Sequence, residues 1–381
     1  MLKKLMFCTG CALAICAAAF ADISQATIET YNNAVQSNDR DALFAAATAL
    51  SNEAIASPED DQSALLAYEA AWALCRYGKC KEALPAAAFA VSQPDTGQHP
   101  SLADRQLLLA FAGWKTNQDR RTRKALDDAL ADRVGDTPSL LTVAAFQARY
   151  LEDAESTRKK QLATSARDAA THFYPVRDQI TEVWSHAAIL ATVSGFGKDH
   201  EPSSLVDMAK IAAELGLMRH MQDDAPEWLD KSALEAAAWT HAMSAYFLSE
   251  GKGKDERELA DEILKTSITD DSHEHAPGSG PHRSDGLLMC RGDFTSKPRP
   301  SFPEDAAWDG YVGAVIVLFD ADESGAKNVR IGASVPSDVF DKAALDSIRG
   351  LEWKWEESAA GDPPCVKSRP EIQWPFYFVL D

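Results

Sequence analysis

Positive charge is what this sequence is shortest of. Its 381 residues carry 38 Lys and Arg against 58 Asp and Glu, a formal charge of −20. Nucleic acids and anionic lipid surfaces are held by clustered cations, so the balance argues against both as electrostatic partners. Glycine (20) and proline (18) are too few for a collagen-like or low-complexity chain. Beyond residue 20 no uncharged apolar run approaches the ~20 residues of a spanning helix. Catalytic signatures are missing too. There is no His-Glu-x-x-His and no Gly-x-Ser-x-Gly, and Gly251-Lys-Gly-Lys254 lacks the spacing and hydroxyl of a phosphate loop. Asp320-x-Asp322-x-Ser324-Gly325 opens like a calcium loop, but Ile331 stands where a bidentate Glu is needed. The expectation is a non-enzymatic protein with no cofactor and no metal.

What is there begins with a leader. Lys3 and Lys4 precede an uncharged apolar run, Leu5 to Phe20, and Ala19-Phe20-Ala21 offers small residues where a signal peptidase reads. Residues 1–21 therefore read as a signal peptide cleaved before Asp22, which places the chain in the periplasm. An uncleaved inner-membrane anchor and a lipoprotein on Cys16 are the alternatives. Three of seven cysteines leave with this segment. Cys75, Cys80, Cys290 and Cys365 remain as disulfide candidates for an oxidising compartment. Nearness favours Cys75 with Cys80, leaving Cys290 with Cys365, although three pairings are formally open.

From residue 22 to 268 the pattern is helical. The clearest unit runs from Ala67 to Ala90, with small residues at Ala71, Ala83, Ala87 and Ala90 and a turn at Gly78. It resembles a tetratricopeptide-type hairpin, in which small side chains let two antiparallel helices approach. Similar hairpins are expected at Ile23–Ser57, turning near Asn38-Asp39, and at Leu102–Val134, turning near Asn117-Gln118. Asp136-Thr137-Pro138 reads as a helix start, with an acceptor cap and proline in the first turn. Further helices are expected to Thr266. The fold class is an all-α helical-hairpin solenoid followed by a small α+β domain; an irregular bundle is the alternative for the helical part. Such a solenoid offers a concave protein-binding surface, and Trp72, Trp114, Trp184, Trp228 and Trp239 either line it or fill its core.

Residues 269–297, polar and rich in Gly and Pro, read as a flexible linker whose His273, His275 and His282 belong to an exposed spacer. Residues 298–381 then change character. Gly310 to Asp320 is β-branched and aromatic, a turn follows at Gly325, and Lys327 to Ser334 reads as the returning strand. Pro336 to Ile348 is an amphipathic helix with Ser337 as its expected N-cap. Leu351 to Trp355 and Ile372 to Leu380 are further strands, giving the order β-β-α-β-β.

These residues resemble the C-terminal domain of TonB family proteins. The resemblance rests on Pro300-Ser-Phe302-Pro303-Glu-Asp-Ala306, the first strand ending Phe319-Asp320, the Gly325 turn and Asn328-Val-Arg-Ile331. It continues through Ser334-Val-Pro336, Phe340-Asp341-x-Ala-Ala-Leu345, Trp353-Lys-Trp355 and Phe376-Tyr-Phe-Val-Leu380. Glu357 replaces the family's proline, and Pro375 interrupts the last strand; proline cannot donate to a ladder, so it should face an open edge or a bulge. The resemblance implies a sheet border onto which an extended partner segment adds as a strand. Gln373, Phe376 and Phe378 are the candidate residues near it. Implied partners are proteins, among them outer-membrane TonB-dependent receptors or transport-system components, or a second copy through the same domain. With a cleaved leader the reading is a periplasmic adaptor that touches the membrane only indirectly. With an uncleaved one it is an energy transducer, and a structural role against the cell wall is a third reading.

Overall fold

The computed structural model describes residues 23–267 and 289–379, apart from short gaps at 38, 96, 98–99, 157–158, 222–224, 250–251, 291, 297, 350–351 and 357–364. The expected signal peptide and most of the expected linker, with its three histidines, lie outside the described residues. The chain divides into two compact units, 1–149 and 150–381.

The first unit is a run of antiparallel helices: α1 (Gln25–Ser37), α2 (Arg40–Ala56), α3 (Ser63–Arg76), α4 (Cys80–Ser92), α5 (Leu102–Thr116) and α6 (Arg120–Leu130), leading into α7 (Leu140–Glu155). From α1 to α6 each helix packs on the next, a repeat-like arrangement. The turns fall where the sequence places them. Asp39 caps α2 by accepting the Asp41 and Ala42 N–H groups at 3.0 and 3.1 Å, and Asp119 caps α6 by accepting from Arg121 and Thr122, both at 2.8 Å. Ala67, Ala70 and Ala71 of α3 and Ala83, Ala86, Ala87 and Ala90 of α4 are fully buried, so the two backbones close up on methyl groups. Gly78 makes the turn between them at φ 93, where a Cβ would be strained. The start of α7 differs from expectation. Ser139 is its cap, accepting the Thr142 N–H at 3.2 Å, whereas Asp136 pairs with Arg133 at 3.5 Å.

The second unit contains α8 (Lys159–Phe173), α9 (Thr181–Asp199), α10 (Pro202–His220), α11 (Glu227–Leu248) and α12 (Lys254–Ser267), again packed in sequence. It continues through β1 (Gly292–Phe294), α13 (Glu304–Trp308), β2 (Gly313–Asp322), β3 (Gly325–Val335), α14 (Asp341–Ile348), β4 (Trp353–Trp355) and β5 (Arg369–Phe378). The main sheet is antiparallel in the order β3-β2-β5, and β1 pairs with β4 in a separate ribbon. β1 comes from the end of the stretch expected as linker. Ser337 does not cap α14. Asp338 turns the chain out of a helical path at φ 67, and the helix begins three residues later without a side-chain cap.

β2 is buried on both faces. Val315, Val317 and Phe319 join Phe294, Phe340, Ala344, Ile348 and Trp353 on the side of α14. Ala314, Ile316 and Leu318 alternate with them and meet Leu234, Ala238 and Ala242 of α11. Those three lie four residues apart, one stripe of the helix, and the two alanines let α11 lie close on the strand. Gly313 admits the same closeness at the sheet's end, where a Cβ would run into the Val335 carbonyl and the Phe340 ring. Trp114 and Trp184 are core residues and Trp239 packs beside the α11–sheet contact, while Trp72 and Trp228 are half-buried.

Candidate protein-binding edge

The order β3-β2-β5 leaves two sheet borders, and they are built differently. The β3 border carries charged and polar side chains, among them Lys327, Asn328 and Arg330, the usual protection of an edge against pairing. β5 is the last strand on the other side, and among the described residues no further strand pairs with it. Pro375, opposite Ile316, sits within this border strand, where a missing N–H is tolerated.

Asp320 of β2 holds both neighbouring strands. Its Oδ2 accepts from the Asn328 amide at 2.7 Å and its Oδ1 from the main-chain N–H of Glu371 at 2.9 Å. Asn328 and Glu371 are both left-handed, at φ 53 and 50, and the register shifts on each side at this level. One carboxylate thus pins a bulge in each flanking strand. The Asn328 amide, then the Glu371 N–H and nearby Arg330, hold the Asp320 carboxyl below its usual range. Asp322 is held lower still, to about 2, by Lys327 and Ser324. The bulge turns Glu371 toward two arginines: Arg330 of β3 at 2.6 Å and Arg219 of α10 at 3.1 Å. Arg219 also pairs with Asp230 of α11, so the first part of β5 is tied to the helices.

The register sorts the candidate residues by face. Phe376 and Phe378 oppose Val315 and Gly313 and are buried in the core beneath α14; the Phe378 ring stacks on Phe340 at 4.2 Å. Their side chains therefore belong to the fold, and strand addition here would use main-chain groups. Gln373 is exposed and opposes Leu318, on the α11 face with Tyr377. Glu371 and Tyr377 escaped the sequence reading. A tyrosine in an apolar strand looks like core, and a bulge made by a partner 51 residues away leaves no local signal. The cysteines pair Cys75–Cys80 and Cys290–Cys365. The first staples the α3–α4 turn, and the second ties the segment just ahead of β1 to the segment just ahead of β5, beside the isolated Met289–Val366 bridge.

A border strand with no further partner among the described residues is the feature that the TonB resemblance implies. Residues 298–380 match the family model for the Gram-negative bacterial TonB protein C-terminal domain. The match begins ahead of α13 and takes in β2, β3, α14, β4 and β5, so the TonB-type domain supplies both sheet borders. The helices, α11 included, lie outside it. No curated protein and no solved structure matches the chain significantly.

Proposed function

We propose that the protein is a non-enzymatic adaptor of the cell envelope, located in the periplasm, whose TonB-type domain takes an extended partner segment along β5. The observation that carries this reading is the open β5 border in a domain matched to the TonB C-terminal family. Unpaired main-chain groups supply affinity in strand addition and alternate side chains tune it. The helical hairpins of the first unit are the second binding surface. No described helix is long and apolar enough to cross a membrane; residues 1–21, outside the described ones, decide between an adaptor and a transducer. Outer-membrane TonB-dependent receptors are the partner class proposed.

The test is amide hydrogen exchange on the full chain with a synthetic peptide from a receptor plug segment. Slower exchange along residues 372–378 is expected; unchanged exchange there with bound peptide sinks the reading. Cell fractionation with N-terminal sequencing checks the location. A soluble product starting at Asp22 is expected, whereas a membrane-bound one starting at Met1 returns the transducer.

A further inference from the structure

Among the described residues of 298–379 three large apolar side chains are exposed: Trp308 at 88%, Tyr311 at 45% and Tyr377 at 43%. They are distant in sequence, but the register gathers them at one end of the sheet. Gly313 opposes Phe378 and Ala314 opposes Tyr377, so Tyr311 enters β2 at the C-terminal end of β5. Trp308 belongs to the same turn, which is closed by the Gly310 N–H on the Ala307 carbonyl at 3.2 Å and the Tyr311 N–H on the Ala306 carbonyl at 2.9 Å. The turn is anchored to that end of the sheet. Ala306 is buried in the α14-side core, and the Phe302 ring packs against Phe340 and Phe378 at 5.5 and 5.9 Å.

An indole left almost wholly in water, with two tyrosines nearby, is the composition of an interface hot spot. Tyr377 puts the patch at the C-terminal end of β5, and acidic residues crowd its indole in sequence: Glu304, Asp305 and Asp309 flank Trp308, and none of the three has an ion pair among the described residues. Aromatic faces beside unpaired carboxylates attract a cation twice, through ring quadrupole and through charge.

We propose that Trp308 and Tyr311, with these carboxylates, anchor one end of the strand that β5 accepts, and that the anchored end carries a lysine or arginine. The occupant is thus an extended, basic-ended segment of another protein, which the chain's overall charge of −20 also favours. This rests on the strand-addition reading, and the experiment separates the two.

Two synthetic peptides share an alternating Thr-Val core, one ending in two lysines and the other in two glutamates, each made with the charged pair at either terminus. Affinity is measured by fluorescence anisotropy on the full chain, with hydrogen exchange over 372–378. The lysine-ended peptide should bind about tenfold tighter, with the preference shrinking at high salt. Trp308→Ala with Tyr311→Ala should shrink the preference, and Glu304→Gln, Asp305→Asn and Asp309→Asn added to them should remove the rest, while β5 stays protected and the melting temperature holds. Equal affinity for both peptides with β5 protected overturns the anchor and leaves strand addition standing. If neither peptide protects β5, the border reading fails and the anchor with it. Capture on isolated peptidoglycan that Trp308→Ala abolishes, without a lysine preference, overturns the proposal in favour of a saccharide site.

Discussion

Asp320 and Glu371 stand 51 residues apart in sequence and meet where β2 passes β5, the carboxylate of one accepting the main-chain N–H of the other at 2.9 Å. The same carboxylate accepts from Asn328 on the opposite side. Asp320→Ala should cost about 1–2 kcal/mol, the worth of two partly exposed charge-assisted bonds, and should speed exchange at the start of β5. The folded state lowers this carboxyl's pKa, so its contribution is complete above the unfolded value near pH 4. It fades as pH falls through the folded one. Urea melts from neutral pH downward should show a shallower acid loss for Asp320→Asn, with the remaining slope belonging to Asp322 and other carboxylates.

His241 of α11 is buried, with its Nδ1 unpartnered. Burial pushes its pKa down to about 4. The unfolded chain takes up a proton near pH 6.5 that the folded chain refuses until about pH 4. Stability from this residue is therefore intact above pH 6.5 and drains away between those values, by up to about 3 kcal/mol. His241→Leu should flatten denaturant midpoints across that window, and an unchanged pH profile would count against a neutral buried imidazole.

The α11–sheet contact is tested from both directions. Leu234→Ala removes a buried side chain facing the strand and should cost about 2–4 kcal/mol. Ala238→Leu adds bulk where no room exists and should cost about 1–3 kcal/mol. Thermal melts of the full chain report both. Variants that melt like the parent would show that the helix does not rest on the sheet.

The two disulfides should differ in weight. Cys290–Cys365 spans 75 residues and Cys75–Cys80 only five, so loop-closure entropy assigns about 4 kcal/mol to the first and about 2 to the second. Melting Cys290→Ser/Cys365→Ser beside Cys75→Ser/Cys80→Ser should give the larger drop for the former pair.

Much of this fold is written locally. The run from Gly313 to Phe319 is β-branched and apolar because β2 has a wall on each face, and the breaks at 38–39 and 117–118 announce the helix turns through their polar residues. What the sequence hides is long-range. Nothing near Ala238 and Ala242 in the sequence signals that they meet a strand some 75 residues downstream. Ser337 has the chemistry of a cap, but the left-handed Asp338 turns the chain before the helix starts at Asp341. Phe376 and Phe378 lie on β5, and which way they point depends on a register that only pairing with β2 sets.

Because α11 lies across one side of the central strands and α14 across the other, the sheet cannot thicken. At β2 that leaves lateral extension, in the plane of the strands, and the charges along β3 make one of the two flanks inhospitable. The proposed strand addition would therefore have a single flank to use.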